Sequence, residues 1–222
     1  MTFFQKFSIL FEHIHQKKLK KYLKKIKINT LIDVGAYRGN FINNFNIKYL
    51  KKIYAFEPDK KNTLNIRKKF NKIKIYNFCL AEKKTVKFFL INKDKTTSTL
   101  ESNIRKNFLF KIKENLLHLD YFKKILVRVE TLDNIFKKVD NVSFLKIDAE
   151  GGDLNVLKGG EKIIKKINFI LIEIKPINFY KNNSPIDIYN FLKINFNIKK
   201  IFSTFPYFYC DVLFVNKNYI NS

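Results

Sequence analysis

A chain of 222 residues, 46% apolar and 16% aromatic, can bury one sizeable α/β core. Its two cysteines, Cys79 and Cys210, lack ligand-like spacing, which excludes a disulfide framework or zinc cluster and points to a reducing, cytoplasmic compartment. The net charge of +25 would attract any polyanion, but the lysines are spread along the whole chain beside many Asn, Ile and Phe, so it reads first as composition and names no substrate.

Phe3, Phe4, Phe7, Leu10, Phe11 and Ile14 recur at helical spacing, which predicts an amphipathic helix over residues 3 to about 16. Lysines 17, 18, 20, 21, 24, 25 and 27 follow. A basic amphipathic segment over 3–27 is open to peripheral contact with an anionic inner membrane face. The favoured reading packs its phenylalanines on the domain and leaves its lysines in water, with His13 and His15 at the surface. No secretory leader or spanning segment is expected, since the lysine run interrupts the early apolar residues and no later apolar run approaches roughly 20 residues.

Leu31-Ile32-Asp33-Val34 reads as a strand covered on both faces, and Gly35 and Gly39 as a turn that brings the backbone close to something. A helix from Gly39 to about Lys48 would then present its N-terminal amides to a crevice. Residues 53–56 form a second strand, stopped by Glu57-Pro58. Asp59 caps the next helix, and 73–78 form a third strand. Residues 86–91 look extended, 92–126 are ambiguous, and 126–129 resemble a short strand before a helix capped by Thr131. Val142 to Ile147 is a clear strand, and Asp153 opens a helix that Gly159-Gly160 should bend or break. Residues 169–174, 198–202 and 212–215 complete the strands, with Ser184-Pro185 starting a helix between them. The alternation specifies one doubly wound, mostly parallel α/β sheet.

Functional groups in such a sheet lie at the carboxyl ends of the strands. Gly35, Glu57, Ala81, Asp148, Glu150 and Glu173 fall there, and the acids recur in a chain short of acids. Glu57 lies 57 − 35 = 22 residues past the first glycine, the spacing at which a carboxylate hydrogen-bonds a ribose. The turn is Asp33-x-Gly35-x-x-x-Gly39, with Ala36 and a bulky Tyr37 where a pyrophosphate loop prefers glycine. An adenosine cofactor without phosphates fits better, and Asp33 suits a cationic group. S-adenosylmethionine is therefore favoured over NAD.

The segments LIDVGAYRG (31–39), YAFEP (54–58), VETLDN (129–134) and LKIDAEGGDLNVLKGG (145–160), with TSTL (97–100) and FILIE (169–173), resemble the FkbM family of S-adenosylmethionine-dependent methyltransferases. The resemblance implies a class I methyltransferase domain over 29–222, preceded by a basic helical segment over 1–28. Its seven-stranded, Rossmann-like sheet would carry an antiparallel last strand. It also implies O-methylation of a hydroxyl on a sugar, glycan, glycolipid or secondary metabolite. By position, Asp33, Gly35, Ala36 and Gly39 would wrap the methionine end, Glu57 the ribose, and Leu80 and Ala81 the adenine. Asp148 and Glu150 would border the transfer site. Tyr37 stands where the family usually has asparagine, Ala149 is smaller than the usual valine, and Gly152-Asp153 departs from a pattern ending in glutamate.

A hydroxyl acceptor benefits from a base, for which Asp148 and Glu150 are candidates. The alternatives are a strand-end anchor for Asp148 and a helix-dipole carboxylate for Glu150. A metal on Asp148 and Glu173 lacks an evident third ligand, so none is expected. Rival readings are an RNA methyltransferase driven by the charge and a non-catalytic docking module. A nicotinamide oxidoreductase is disfavoured by the glycine spacing, and nucleic acid is not the expected partner. The acceptor pocket should draw on 92–125 and 176–210, including Tyr180, Tyr207 and Tyr209, whose more ordinary role is core.

Overall fold

Strand β1 (Thr30–Val34) is buried along its whole length because both faces of its sheet are covered, as continuous apolar runs of this kind require. The structure is a computed structural model that describes residues 3–92, 98–100, 102, 121–175, 180–203 and 209–220. On one side β1 pairs in parallel with β2 (Lys52–Phe56), and β2 with β3 (Ile73–Tyr76). On the other it pairs in parallel with β8 (Val142–Ile147), and β8 with β9 (Ile167–Ile174). β11 (Cys210–Asn216) runs antiparallel to both β9 and β10 (Phe196–Ser203), giving the order β10-β11-β9-β8-β1-β2-β3. The strand order reverses between β1 and β8, so a crevice opens beyond their carboxyl ends.

Side-chain alternation sorts the core between the two faces. Ile32, Leu145, Ile170 and Phe214 belong to one buried cluster, whereas Leu31, Phe144, Leu171 and Leu213 belong to the other. Helix α2 (Lys60–Lys69) follows β2 and is capped by the Asp59 side chain, which accepts from Lys61 N. Thr131 caps α3 (Leu132–Ile135) by accepting from Asn134 N. Gly159-Gly160 breaks the next helix into α4 (Asp153–Lys158) and α5 (Glu161–Ile164). Ser184 caps α6 (Pro185–Leu192), and α7 (Lys217–Ile220) closes the described chain.

The sequence reading is corrected at several points. The expected helix after Gly39 is two short 3-10 pieces, Asn40–Asn44 and Ile47–Tyr49, in a stretch of Asn, Phe and Ile that favours helix weakly. The third strand stops at Tyr76, because the Asn77 side chain turns back and donates to the Glu57 and Pro58 carbonyls. A second, four-stranded sheet appears that no local pattern announced, in the order β4 (Cys79–Leu80), β7 (Tyr121–Glu130), β5 (Thr85–Asn92), β6 (Thr99–Leu100). β7 is ten residues long, where the sequence suggested four, because β5 pairs with it from Val129 back to Tyr121 and β4 takes Glu130.

Helix α1 (Phe3–Leu23) runs on through the lysine stretch, with Leu19 and Leu23 buried in the same cluster as Leu31 and Phe144. The lysines from 17 to 27 named above stay exposed. His15 is not a surface residue: it is 2% exposed, and its Nε2 lies 2.7 Å from Asp211 Oδ2 on β11. The Tyr209 ring meets the imidazole edge-on and its hydroxyl donates to Glu12. Asp211 is buried, which raises its pKa, while the His15 partner pulls it down. Removing one member of a buried pair strands the other. His15→Ala is therefore expected to cost about 3 kcal/mol in urea denaturation. A loss below ~0.5 kcal/mol, typical of a surface change, would show that this contact does not hold α1.

Candidate active site

The turn after β1 is folded around the end of β2. Gly35 and Ala36 both donate their amides to Phe56 O at 3.1 Å, and Tyr37 N donates to Glu57 Oε2 at 2.8 Å. Three amides of the turn are thus already used within the protein. The turn has no such nest to offer a pyrophosphate, in line with the preference for a cofactor without phosphates. Tyr37 adopts φ +49°, a left-handed conformation that asparagine tolerates better than tyrosine, which gives the departure at this position a backbone reason. Gly35, at φ +74°, lies so close to β8 that a Cβ there would sit 1.9 Å from Asp148 O.

Glu57 closes β2 and is buried. Oε1 accepts from Asp59 N at 2.8 Å and, more loosely, from the Asn62 side chain at 3.5 Å. Burial pushes its carboxyl up to about 7, against the pull of the Asp59 and Tyr37 amides. A carboxylate offers about four acceptor sites, so this one keeps capacity for a further donor. Asp33 is 0% exposed, and neither carboxylate oxygen has a well-aligned hydrogen-bond donor. Burial raises its pKa, and Lys146, whose Nζ stands 3.4 Å from Oδ1, opposes that rise.

The end of β8 carries the other half. Asp148 N donates to Val34 O at 3.1 Å, locking the strand ends together. Its side chain is 33% exposed, and its Oδ2 lies 3.2 Å from Lys146 Nζ. Glu150 is differently placed. Its backbone is left-handed at φ +45°, its carbonyl accepts from Thr99 Oγ1 at 2.6 Å, and Oε2 accepts from both Tyr180 OH and Lys175 Nζ at 2.6 Å. Lys175 also lies 2.9 Å from Glu173 Oε1. Burial pushes Glu173 up to about 8, against the lowering by Lys175. Asp148, Glu150 and Glu173 come within 4.8 Å of one another, so Glu150 is the third carboxylate that the sequence did not supply for a cation. The Lys175 ammonium already serves two of the three.

Asp33, Gly35, Ala36, Glu57 and Asp148 are thus brought into one contact network, and Gly39 closes the turn by donating to Ala36 O at 2.7 Å. Leu80 and Ala81 are buried where the two sheets meet, Ala81 against the backbone of Gly159. Their neighbour Cys79 is close enough for Glu57 to raise its pKa further beyond the dominant effect of burial. Tyr180 is core, as its more ordinary role implied, but its hydroxyl holds Glu150; Tyr207 lies outside the described residues. Lys146 and Lys175 were missed. The signal for Lys146 was present: a lysine in Val142-Ser143-Phe144-Leu145-Lys146-Ile147, a strand buried on both faces, needs a partner for its charge.

The sheet order with one antiparallel strand, and carboxylates grouped at the strand-order reversal, define a class I methyltransferase fold. The Methyltransferase FkbM domain matches residues 33–199, and the chain belongs to that family of S-adenosylmethionine-dependent methyltransferases. Among solved structures, methyltransferase FkbM from Methylobacillus flagellatus KT is 17% identical with a TM-score of 0.54, covering 85% of this chain and 44% of its own. This chain therefore spans less than half of that protein. Magnesium protoporphyrin IX methyltransferase from Synechocystis PCC 6803, solved with bound S-adenosylmethionine, is 10% identical with a TM-score of 0.51, covering 98% and 85%. No curated protein matches the sequence.

Proposed function

We propose that this protein transfers a methyl group from S-adenosylmethionine to a hydroxyl of a sugar, glycan, glycolipid or secondary metabolite. The observation that carries the reading is the placement of Asp148, whose backbone packs against Gly35 of the turn and whose partly exposed carboxylate pairs with Lys146. The cofactor, when bound, supplies a methyl group already activated on a sulfonium. Glu57 would accept a hydrogen bond from the ribose hydroxyls, while Asp33 and the turn of Gly35, Ala36 and Gly39 would form the wall at the methionine end. Leu80 and Ala81 would lie toward the adenine. Asp148 would accept the proton of the acceptor hydroxyl as the methyl carbon's bond to sulfur breaks and its bond to that oxygen forms, and alignment of the oxygen would supply much of the remaining rate. Glu150 is assigned to holding the site together, because Tyr180 and Lys175 already occupy its carboxylate.

Calorimetric titration with S-adenosylmethionine and with NAD tests the cofactor, and only the first is expected to bind. Transfer of labelled methyl groups to a panel of free sugars, glycolipids and hydroxylated metabolites then tests the acceptor class. Asp148→Asn is expected to lower that transfer by about 100-fold at saturating S-adenosylmethionine, the scale of general-base catalysis, while cofactor binding weakens by only about 3-fold. Unchanged turnover would remove the base role; label found only in RNA would replace the acceptor class.

We propose a cytoplasmic compartment, which the free thiols of Cys79 and Cys210 support. Among the described residues no helix is long and apolar enough to cross a membrane. The exposed lysine face of α1 supports, at most, a peripheral contact with an anionic inner membrane surface.

A further inference from the structure

Lys146 faces Asp33 directly across the β1–β8 pairing and is almost wholly buried. Its ammonium donates to Gly35 O at 2.8 Å and, at the limit of hydrogen bonding, to Val34 O at 3.5 Å. Asp33 Oδ1 lies 3.4 Å away, Asp148 Oδ2 3.2 Å, and the Phe41 ring 5.7 Å. Burial works against the charge, but the Asp148 and Asp33 carboxylates more than offset it and hold the group above the ordinary lysine range. One permanent cation therefore touches the carbonyls of the donor turn on one strand and the partly exposed carboxylate of the next.

We propose that Lys146 is a positioning residue for methyl transfer, setting Asp148 and the glycine turn in one register so that donor and proton acceptor are located by a single group. This rests on the function proposed above. It assigns Lys146 no contact with substrate and no proton in the reaction. If the lysine joins the two halves, a change at Asp148 reaches the cofactor wall through Lys146 and fails to reach it when Lys146 is gone.

The test is a double-mutant cycle read on the binding of S-adenosylhomocysteine, which lacks the sulfonium charge that Asp148 could attract directly. Wild type, Lys146→Met, Asp148→Asn and the double variant are titrated by calorimetry at one pH, with folding checked by circular dichroism and thermal melting. Lys146→Met is expected to weaken binding by about 10-fold. Asp148→Asn should weaken it about 3-fold in the wild-type background and leave it unchanged in the Lys146→Met background. A generally structural lysine would give the same effect of Asp148→Asn in both backgrounds, and that additivity would overturn the proposal. So would Asp148→Asn binding as wild type does. If Lys146→Met does not fold, Lys146→Gln takes its place in the cycle, since it keeps a donor for Gly35 O but no charge for Asp148. The cycle uses no acceptor, so failure of Asp148 as a base in the methyl-transfer assay leaves its outcome readable. Wild-type protein that binds neither S-adenosylmethionine nor S-adenosylhomocysteine would overturn the function and this inference together.

Discussion

Glu57→Gln is expected to weaken S-adenosylmethionine binding by about 100-fold, the upper range for one charge-assisted hydrogen bond, about 3 kcal/mol. Glutamine has nearly the same shape, so the loss isolates the charge. Both carboxylate oxygens already accept from backbone amides, those of Tyr37 and Asp59. The glutamine NH₂ would point a donor at one of these donors and would offer one acceptor fewer to the ribose. The pH dependence has a definite sign. Burial raises Glu57 to about 7 in the unliganded protein, so below that pH part of the population carries a neutral carboxyl. Ribose hydroxyls favour the ionised form, so affinity should climb as pH rises toward 7 and level off above it, with proton release on binding at pH 6. Titration in two buffers of different ionisation enthalpy measures that release. The same raised pKa acts on stability. Relative to an unfolded carboxyl near 4.5, the unliganded fold is favoured by this group below that pH and loses the benefit as pH rises through about 7. Affinity that stays constant between pH 5.5 and 8 would mean that Glu57 is ionised throughout or does not meet the ligand.

Gly35→Ala is expected to abolish cofactor binding and to destabilise the protein by about 3 kcal/mol or more, combining an overpacked contact with a strained left-handed backbone. The new methyl would collide with Asp148 O, a backbone atom fixed by the β1–β8 pairing, at 1.9 Å. Gly39→Ala is the control. It shares the left-handed conformation, at φ +73°, but its Cβ would meet the Phe70 ring at 3.0 Å, and a side chain can move aside. Its cost should be nearer 1–2 kcal/mol, the backbone term alone. Urea denaturation of the two variants measures the difference. Equal losses would show that close approach to β8 is not what position 35 requires.

Much of this architecture rests on local rules, and those parts were legible in the sequence. The caps at Asp59, Thr131 and Ser184 need only a short polar side chain a few residues from an unpaired amide. The break at Gly159-Gly160 follows from backbone entropy. Continuous apolar runs with a glycine turn at 35–39 and an acid at 57 specify a sheet covered on both faces and a crevice at its strand ends. The four-stranded sheet was not legible, because its central β5–β7 pairing joins segments far apart in the chain.

The chemistry of single side chains was decided later still. His15 sits in a lysine-rich helix that reads as solvated, yet Asp211, 196 residues away, takes it into the core. Glu150 and Asp148 are two residues apart and equivalent on paper. Tertiary contacts give the first to Tyr180 and Lys175 and leave the second partly open beside the turn. Sequence alone determined the sheet, the turn and the acids at the strand ends, since propensity and periodicity act over a few residues. Which acid stays available, and which lysine holds it against the turn, was settled only by the tertiary structure, because a buried charge takes its state from partners that the chain brings together last.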